Sequence, residues 1–282
     1  MPLTQVFVLA IVQGITEFLP ISSTAHLILF PWFLHWEDPG LTFNVALHVG
    51  TLLAVLVYFR KTWIDLLLEG FGKKPLFAGP ASSSGNALQT GGDHSRALFW
   101  YLVAATIPAA VAGWFFHDQV ASTWRHPVVI GCALVLLALV MALGEKMGSQ
   151  QKDLRSAGLR DSLWIGLSQT LALIPGVSRS GITMTAGMFR GLRREDTARF
   201  SFLLSTPIMA GAALNEFLGI RDHGIPPEMQ LPFLLGIVVS ALVGYAVIEF
   251  FLRFLAFGTF KIFIYYRVIF GIIVLTLAFF FP

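Results

Sequence analysis

Inside the first apolar stretch of the chain, "QGITEFLPISSTAHL" (13–27) places Gln13, Glu17, Ser22, Ser23, Thr24 and His26 among residues that otherwise favour hydrocarbon. Gln13 and Glu17 are four apart, so they share one face of a helix that ends before Pro20. A carboxylate in the bilayer interior costs about 3 kcal/mol on insertion scales unless a cavity, a cation or a donor meets it, so Glu17 calls for a partner. Beyond Pro20, Ser22 or Ser23 can cap a new helix whose free N–H groups form an anion site. His26 follows Ser23 by three residues and Ser22 by four, which lets an imidazole and a hydroxyl face one space. That pairing suits an activated oxygen nucleophile or a histidine that attacks directly.

A second polar stretch, "PGVSRSGITM" (175–184), has Gly176 and Gly181 to permit a tight turn, hydroxyls at Ser178 and Ser180, and the planar donor fork of Arg179. Bidentate arginine geometry matches phosphoryl oxygens, and a helix starting here points its N-terminus at the same anion. Brought together, the two stretches supply an anion clamp, a nucleophile, a base and one carboxylate able to hold a divalent metal, which are the parts of a phosphoryl-transfer site. The competing reading of Glu17 and Arg179 is a buried structural ion pair. Lone membrane hydroxyls usually bond their own helix, and His48, inside an apolar run, is open to either reading.

The elements that must position these groups follow from composition. Of 282 residues, 56% are hydrophobic and 12% charged, the balance of an integral membrane protein. Apolar runs at 41–58, 97–116, 128–143, 198–217, 231–251 and 262–281 are long enough to span. Segments 3–36 and 163–190 are too interrupted to span and too apolar for water. Lys and Arg concentrate in loops one, three and five (Arg60, Lys61, Lys73, Lys74; Lys146, Lys152, Arg155, Arg160; Arg253, Lys261), which the positive-inside rule places in the cytoplasm. Arginines flank both ends of 163–190, so that segment dips in and returns, whereas 1–40 lacks Lys and Arg and dips from the outer face.

"QGITEFLPISST" and "QTLALIPGVSRS" share a Gln, apolar residues, a Pro and paired hydroxyls, and each precedes three spans. The expected fold is therefore an all-α integral membrane protein of one domain (1–282), with six transmembrane helices and two re-entrant helical hairpins in an inverted-topology three-plus-three repeat, 1–145 and 160–282. The Gly/Ser/Pro-rich stretch 78–95 reads as a surface segment. The single cysteine, Cys132, reads as packing material, and the Arg190 to Arg199 cluster as an orientation signal with a lipid-headgroup role. The net charge of +3, scattered over span ends, argues against nucleic acid as a partner. The first apolar stretch, without a basic leader or a small-residue cleavage site, does not read as a removable signal.

The two motifs, their order and spacing, and the tail "YRVIFGIIVL" resemble the bacitracin-resistance family of undecaprenyl-diphosphate phosphatases over nearly the whole chain. That resemblance implies an interdigitated inverted repeat in the bacterial inner membrane and removal of the terminal phosphate of an isoprenoid diphosphate lipid, at a site open to the periplasmic face. It also implies a divalent cation (Mg or Ca) and is compatible with a homodimer. By motif, Glu17 corresponds to the family's acidic and metal-holding residue, Ser23 and His26 to its catalytic serine and histidine, and Arg179 to its phosphate-binding arginine. Gln13, Ser22, Thr24, Gly176, Ser178, Ser180 and Thr183 fall on its substrate-binding positions. Gln13 stands where some members have a second Glu, which puts a two-carboxylate metal site in doubt. The rival of another class is a transporter or flippase of lipid phosphates built on the same repeat.

Overall fold

The computed structural model describes residues 1–77, 93–116, 123–224 and 226–280; most of the stretch 78–95 lies outside the described residues. The named elements are α1 (Leu3–Thr16), α2 (Ser23–Leu34), α3 (Gly40–Tyr58), α4 (Arg60–Gly70), α5 (Asp93–Phe115), α6 (Pro127–Met147), α7 (Leu159–Gln169), α8 (Arg179–Phe189), α9 (Arg194–His223), α10 (Pro227–Leu255) and α11 (Lys261–Phe280). Short 3-10 turns lie at Thr123–Arg125, Leu154–Ser156 and Thr170–Leu173. No strand forms among the described residues, only an isolated bridge between Lys152 and Leu192. Six helices, α3, α5, α6, α9, α10 and α11, contain segments long and apolar enough to cross a bilayer. They fall on the six runs expected from hydropathy.

Of the other five helices, α4 follows α3, and the pairs α1 with α2 and α7 with α8 are broken where the sequence forbids helix. After α1 the chain turns through Pro20, whose ring and missing N–H cannot continue a helix. Ser22 then takes φ 75 and accepts a hydrogen bond from Ala25 N to start α2. After α7 the chain tightens into the Thr170–Leu173 turn, passes Pro175 and Gly176 (φ 98), and Ser178 takes φ 29 while capping Gly181 N. A serine at positive φ is strained, and here each strained serine is fixed by its capping bond. Ser23 and Arg179 are thus the first residues of two helices that begin in the same way.

Packing locks the breaks in place. Phe18, next to Glu17, is fully buried and meets Phe202 of α9 edge-on at 5.2 Å between ring centroids. Small residues let backbones approach, as membrane helices require when lipid is as apolar as leucine. A Cβ on Gly50 would lie 2.0 Å from Ser240 Oγ, and that hydroxyl donates to Leu47 O at 3.0 Å, joining α3 to α10. Gly131 and Gly271 face each other in the same way between α6 and α11.

At the Arg-rich end, Asp161 accepts from Arg190 Nε (2.6 Å) and Lys152 Nζ (3.3 Å), and Arg194 forks onto Glu145 with its shortest bond at 2.6 Å. Arg193 pairs with Asp196 and Arg199 with Glu195. These arginines are tied to carboxylates of the fold, while Arg190 and Arg193 keep exposed side chains. Burial opposes the Asp161 charge, but hydrogen bonds from Arg190, Gly158 N–H and Lys152 outweigh it and hold the carboxyl below the usual aspartate pKa. Its contribution to stability is therefore present near neutral pH and is lost as pH falls through that lowered value. Cys132 is exposed on α6, so it meets the surroundings rather than packing inside.

Candidate active site

The two breaks, more than 150 residues apart in sequence, touch. Ser180 Oγ donates to Leu19 O at 3.0 Å, and Arg179 Nη2 donates to Glu17 Oε1 at 2.7 Å. The other carboxylate oxygen of Glu17 accepts from Ser23 Oγ at 2.6 Å and from Gln13 Nε2 at 3.0 Å. A buried carboxylate is tolerated here because a guanidinium, a hydroxyl and an amide all serve it. His48 adds its Nε2 at 3.5 Å from Glu17 Oε2. Its Nδ1–H donates to Asn44 O at 2.8 Å, which leaves Nε2 as the nitrogen that faces the carboxylate.

A cavity of about 240 Å³ opens over this cluster, lined by Glu17, Ser22, Ser23, Thr24, His48, Gln169, Ser178 and Arg179, with Val45, Ala109, Leu173 and Met209 on the apolar side. A second cavity of about 490 Å³ shares Thr24, Val45, His48 and Leu173 and adds Leu27, Ile28 and Leu41. The second also carries Asn44 and Arg125, so both spaces are mostly apolar with a polar minority. Arg179 uses Nη2 on Glu17, while its buried Nη1 has no partner among the described residues. Half the guanidinium is left for an anion beside the Ser23 hydroxyl.

Of the residues expected at the site, Glu17, Ser22, Ser23, Thr24, Ser178 and Arg179 line the cavity; Gln13, His26, Gly176, Ser180 and Thr183 stand behind it. His26 is buried, with Nδ1–H donating to Ser22 O and Nε2 accepting from Tyr266 OH, both at 2.7 Å. Its ring stacks on Phe270 at 4.8 Å. The bond to Ser22 O draws the imidazole back along its own helix, so it braces the serine turn and does not meet Ser23. Thr183 donates to Arg179 O at 2.7 Å and bonds Ser201 at the same distance, and Ser180 ties the breaks together. Gly176 is a packing position: its φ is 98, and a Cβ there would lie 2.6 Å from Ile130 O.

Three residues outside the expected set enter the site's construction. His48 and Gln169 line the cavity; Arg267 holds the turns on which the cavity is built. Arg267 is fully buried on α11 and makes no salt bridge among the described residues. It donates to Gly176 O (2.7 Å), Pro20 O (3.2 Å), Leu134 O (3.3 Å) and Ala133 O (3.4 Å). One guanidinium thereby fastens both turns to α6. The signal in the sequence was a lone cation inside the last span.

No three His, Cys, Asp or Glu side chains converge on one point among the described residues. The described residues alone build no metal cage. Glu17 and the unpartnered Gln13 Oε1 are hard oxygen donors, the kind that holds Mg2+ or Ca2+ once phosphate oxygens complete the shell.

Helices that can cross a bilayer, enclosing a serine, a carboxylate and a guanidinium with one unpartnered nitrogen, define a membrane protein with a buried polar cluster at a cavity. The chain belongs to the family described as Bacitracin resistance protein BacA, which matches residues 6–273. It is 45% identical over 269 residues to the undecaprenyl-diphosphatase of Moorella thermoacetica, covering 95% of each chain. The undecaprenyl-diphosphatase of Pelotomaculum thermopropionicum is 44% identical, covering 99% of this chain and 97% of its own, and that of Desulforudis audaxviator is 46% identical over 96% of each. With six apolar spans among the described residues, the chain is a multi-pass membrane protein of that family.

Proposed function

We propose that this protein is an undecaprenyl-diphosphate phosphatase, a hydrolase that removes the terminal phosphate of the lipid diphosphate and returns the monophosphate carrier to cell-wall synthesis, so conferring bacitracin resistance. The observation that carries the reading is the contact of Ser23 and Arg179 through one carboxylate, Glu17. In the proposed reaction Ser23 Oγ attacks the terminal phosphorus while Glu17 Oε2 receives its proton. The bridging P–O bond breaks, undecaprenyl phosphate leaves, and water then cleaves the phosphoserine to free inorganic phosphate. Arg179 Nη1 and the N–H groups at the start of α8 hold the phosphoryl oxygens. His26, implied by the resemblance as a catalytic residue, works here by holding the Ser22 carbonyl and hence the serine turn.

A divalent cation, Mg or Ca, would be held by Glu17 together with the substrate's own phosphate oxygens and would neutralise diphosphate charge. The apolar wall of the adjoining cavity, with Leu27, Ile28 and Leu41, suits the first isoprene units of the substrate. The architecture we infer is the inverted repeat with two re-entrant hairpins, supported by the matching strained serine caps at Ser22 and Ser178. The inferred location is the bacterial inner membrane, with the Lys- and Arg-rich loops inside and the site reached from the periplasmic face.

The test is phosphate release from a prenyl diphosphate by the purified chain in detergent, without a gradient or a second compartment. The proposal expects turnover abolished by chelation and restored by Mg2+ or Ca2+. A wild-type chain that releases no phosphate yet moves a lipid phosphate across proteoliposomes would establish the transporter reading instead.

A further inference from the structure

Gln169 ends α7 where that helix tightens into the Thr170–Leu173 turn, and it lines the same cavity as Glu17, Ser23 and Arg179. It is 2% exposed, yet neither its Oε1 nor its Nε2 has a hydrogen-bond partner among the described residues. Its neighbours behave otherwise: Ser168 donates to Ile165 O at 2.7 Å and Thr170 to Leu167 O at 2.8 Å. A buried amide with every polar atom idle destabilises the fold relative to an apolar side chain of the same size. Such a cost points to a partner that arrives from the cavity.

One further idle atom belongs to a residue lining the same cavity, Arg179 Nη1. Gln13, which precedes Ser22 at the spacing by which Gln169 precedes Ser178, also has an idle Oε1 but stands behind the cavity. Gln13 has its Nε2 committed to Glu17. Gln169 has no such commitment. A ligand that takes donors from a guanidinium and a neighbouring amide is rich in anionic oxygen.

We propose that Gln169 is a substrate-binding residue whose Nε2–H donates to a phosphate oxygen of the lipid diphosphate beside the Arg179 guanidinium, an assignment that rests on the phosphatase reading above. An uncharged donor adds directional grip to the diphosphate without adding to the electrostatic hold on the monophosphate product. The contact is made in the bound ground state, so its loss shows in affinity before turnover.

The experiment compares wild type, Gln169→Leu and Gln169→Glu as full chains in detergent. A non-hydrolysable prenyl methylene-bisphosphonate serves as the binding probe, with phosphate release and Tm measured on the same samples. Gln169→Leu is expected to weaken probe binding and raise KM by about tenfold, the loss of one hydrogen bond to a charged group. Its Tm should equal or exceed that of wild type, because leucine removes the unsatisfied amide. Gln169→Glu should bind the probe more weakly still, through repulsion of like charges. Unchanged affinity in Gln169→Leu overturns the proposal, and so does weaker affinity with a lowered Tm, which assigns the amide to the fold. Wild type separates the two levels of inference: no phosphate release from it removes the phosphatase reading itself, whereas an active wild type with an equally avid leucine variant removes only the role of Gln169.

Discussion

Ser23→Ala is expected to lower phosphate release by at least about a thousandfold while leaving the protein folded. The hydroxyl's hydrogen bond is to Glu17 Oε2, and that carboxylate keeps Arg179 and Gln13 when the serine is gone. The chemistry has no such reserve, because among the described residues no other hydroxyl lining the cavity bonds a carboxylate. Initial rates with a prenyl diphosphate, read beside a thermal melt in detergent, check both halves. Near wild-type turnover would remove Ser23 as nucleophile and return the role to a histidine.

Arg267→Met is expected to lower Tm by on the order of 5 °C or more and to reduce turnover at least about a hundredfold. Methionine fills part of the volume but donates nothing. Pro20 O and Gly176 O then lose the guanidinium that serves them, and each carbonyl left unsatisfied in a dry interior costs about 1–3 kcal/mol. Activity falls because these carbonyls belong to the turns that set Ser23 and Arg179 opposite one another. Arg267→Lys should rescue little, since a compact ammonium cannot span carbonyls on two turns and α6. Full activity and an unchanged melt in either variant would show that packing alone holds the turns.

Much of the site was legible because polar groups in an apolar sequence demand a reason. Glu17, Ser23 and Arg179 stand out on that ground, and Pro20 and Pro175 mark where the helices break. The spans were legible from hydropathy. What could not be read was the direction of side chains. His26 has the spacing to face Ser23, yet a hydrogen bond to its own helix carries the ring toward Tyr266. His48 looked equivocal inside its span and faces Glu17, a choice made by the approach of α3 to α1. The partners of the Arg190 to Arg199 cluster were hidden for a related reason. Asp161 and Glu145 lie far from it in sequence, and only the fold brings them close.

The most direct test is a cross-link between the two breaks in the native membrane, using Glu17→Cys/Arg179→Cys with Cys132 replaced and a short thiol-specific bifunctional reagent. The side chains at these positions meet at 2.7 Å, so an intramolecular cross-link should form rapidly, visible as a mobility shift absent from either single variant. If each single cysteine reacts with a monofunctional reagent while the pair never cross-links, the carboxylate and the guanidinium do not share a cavity, and the proposed site is wrong.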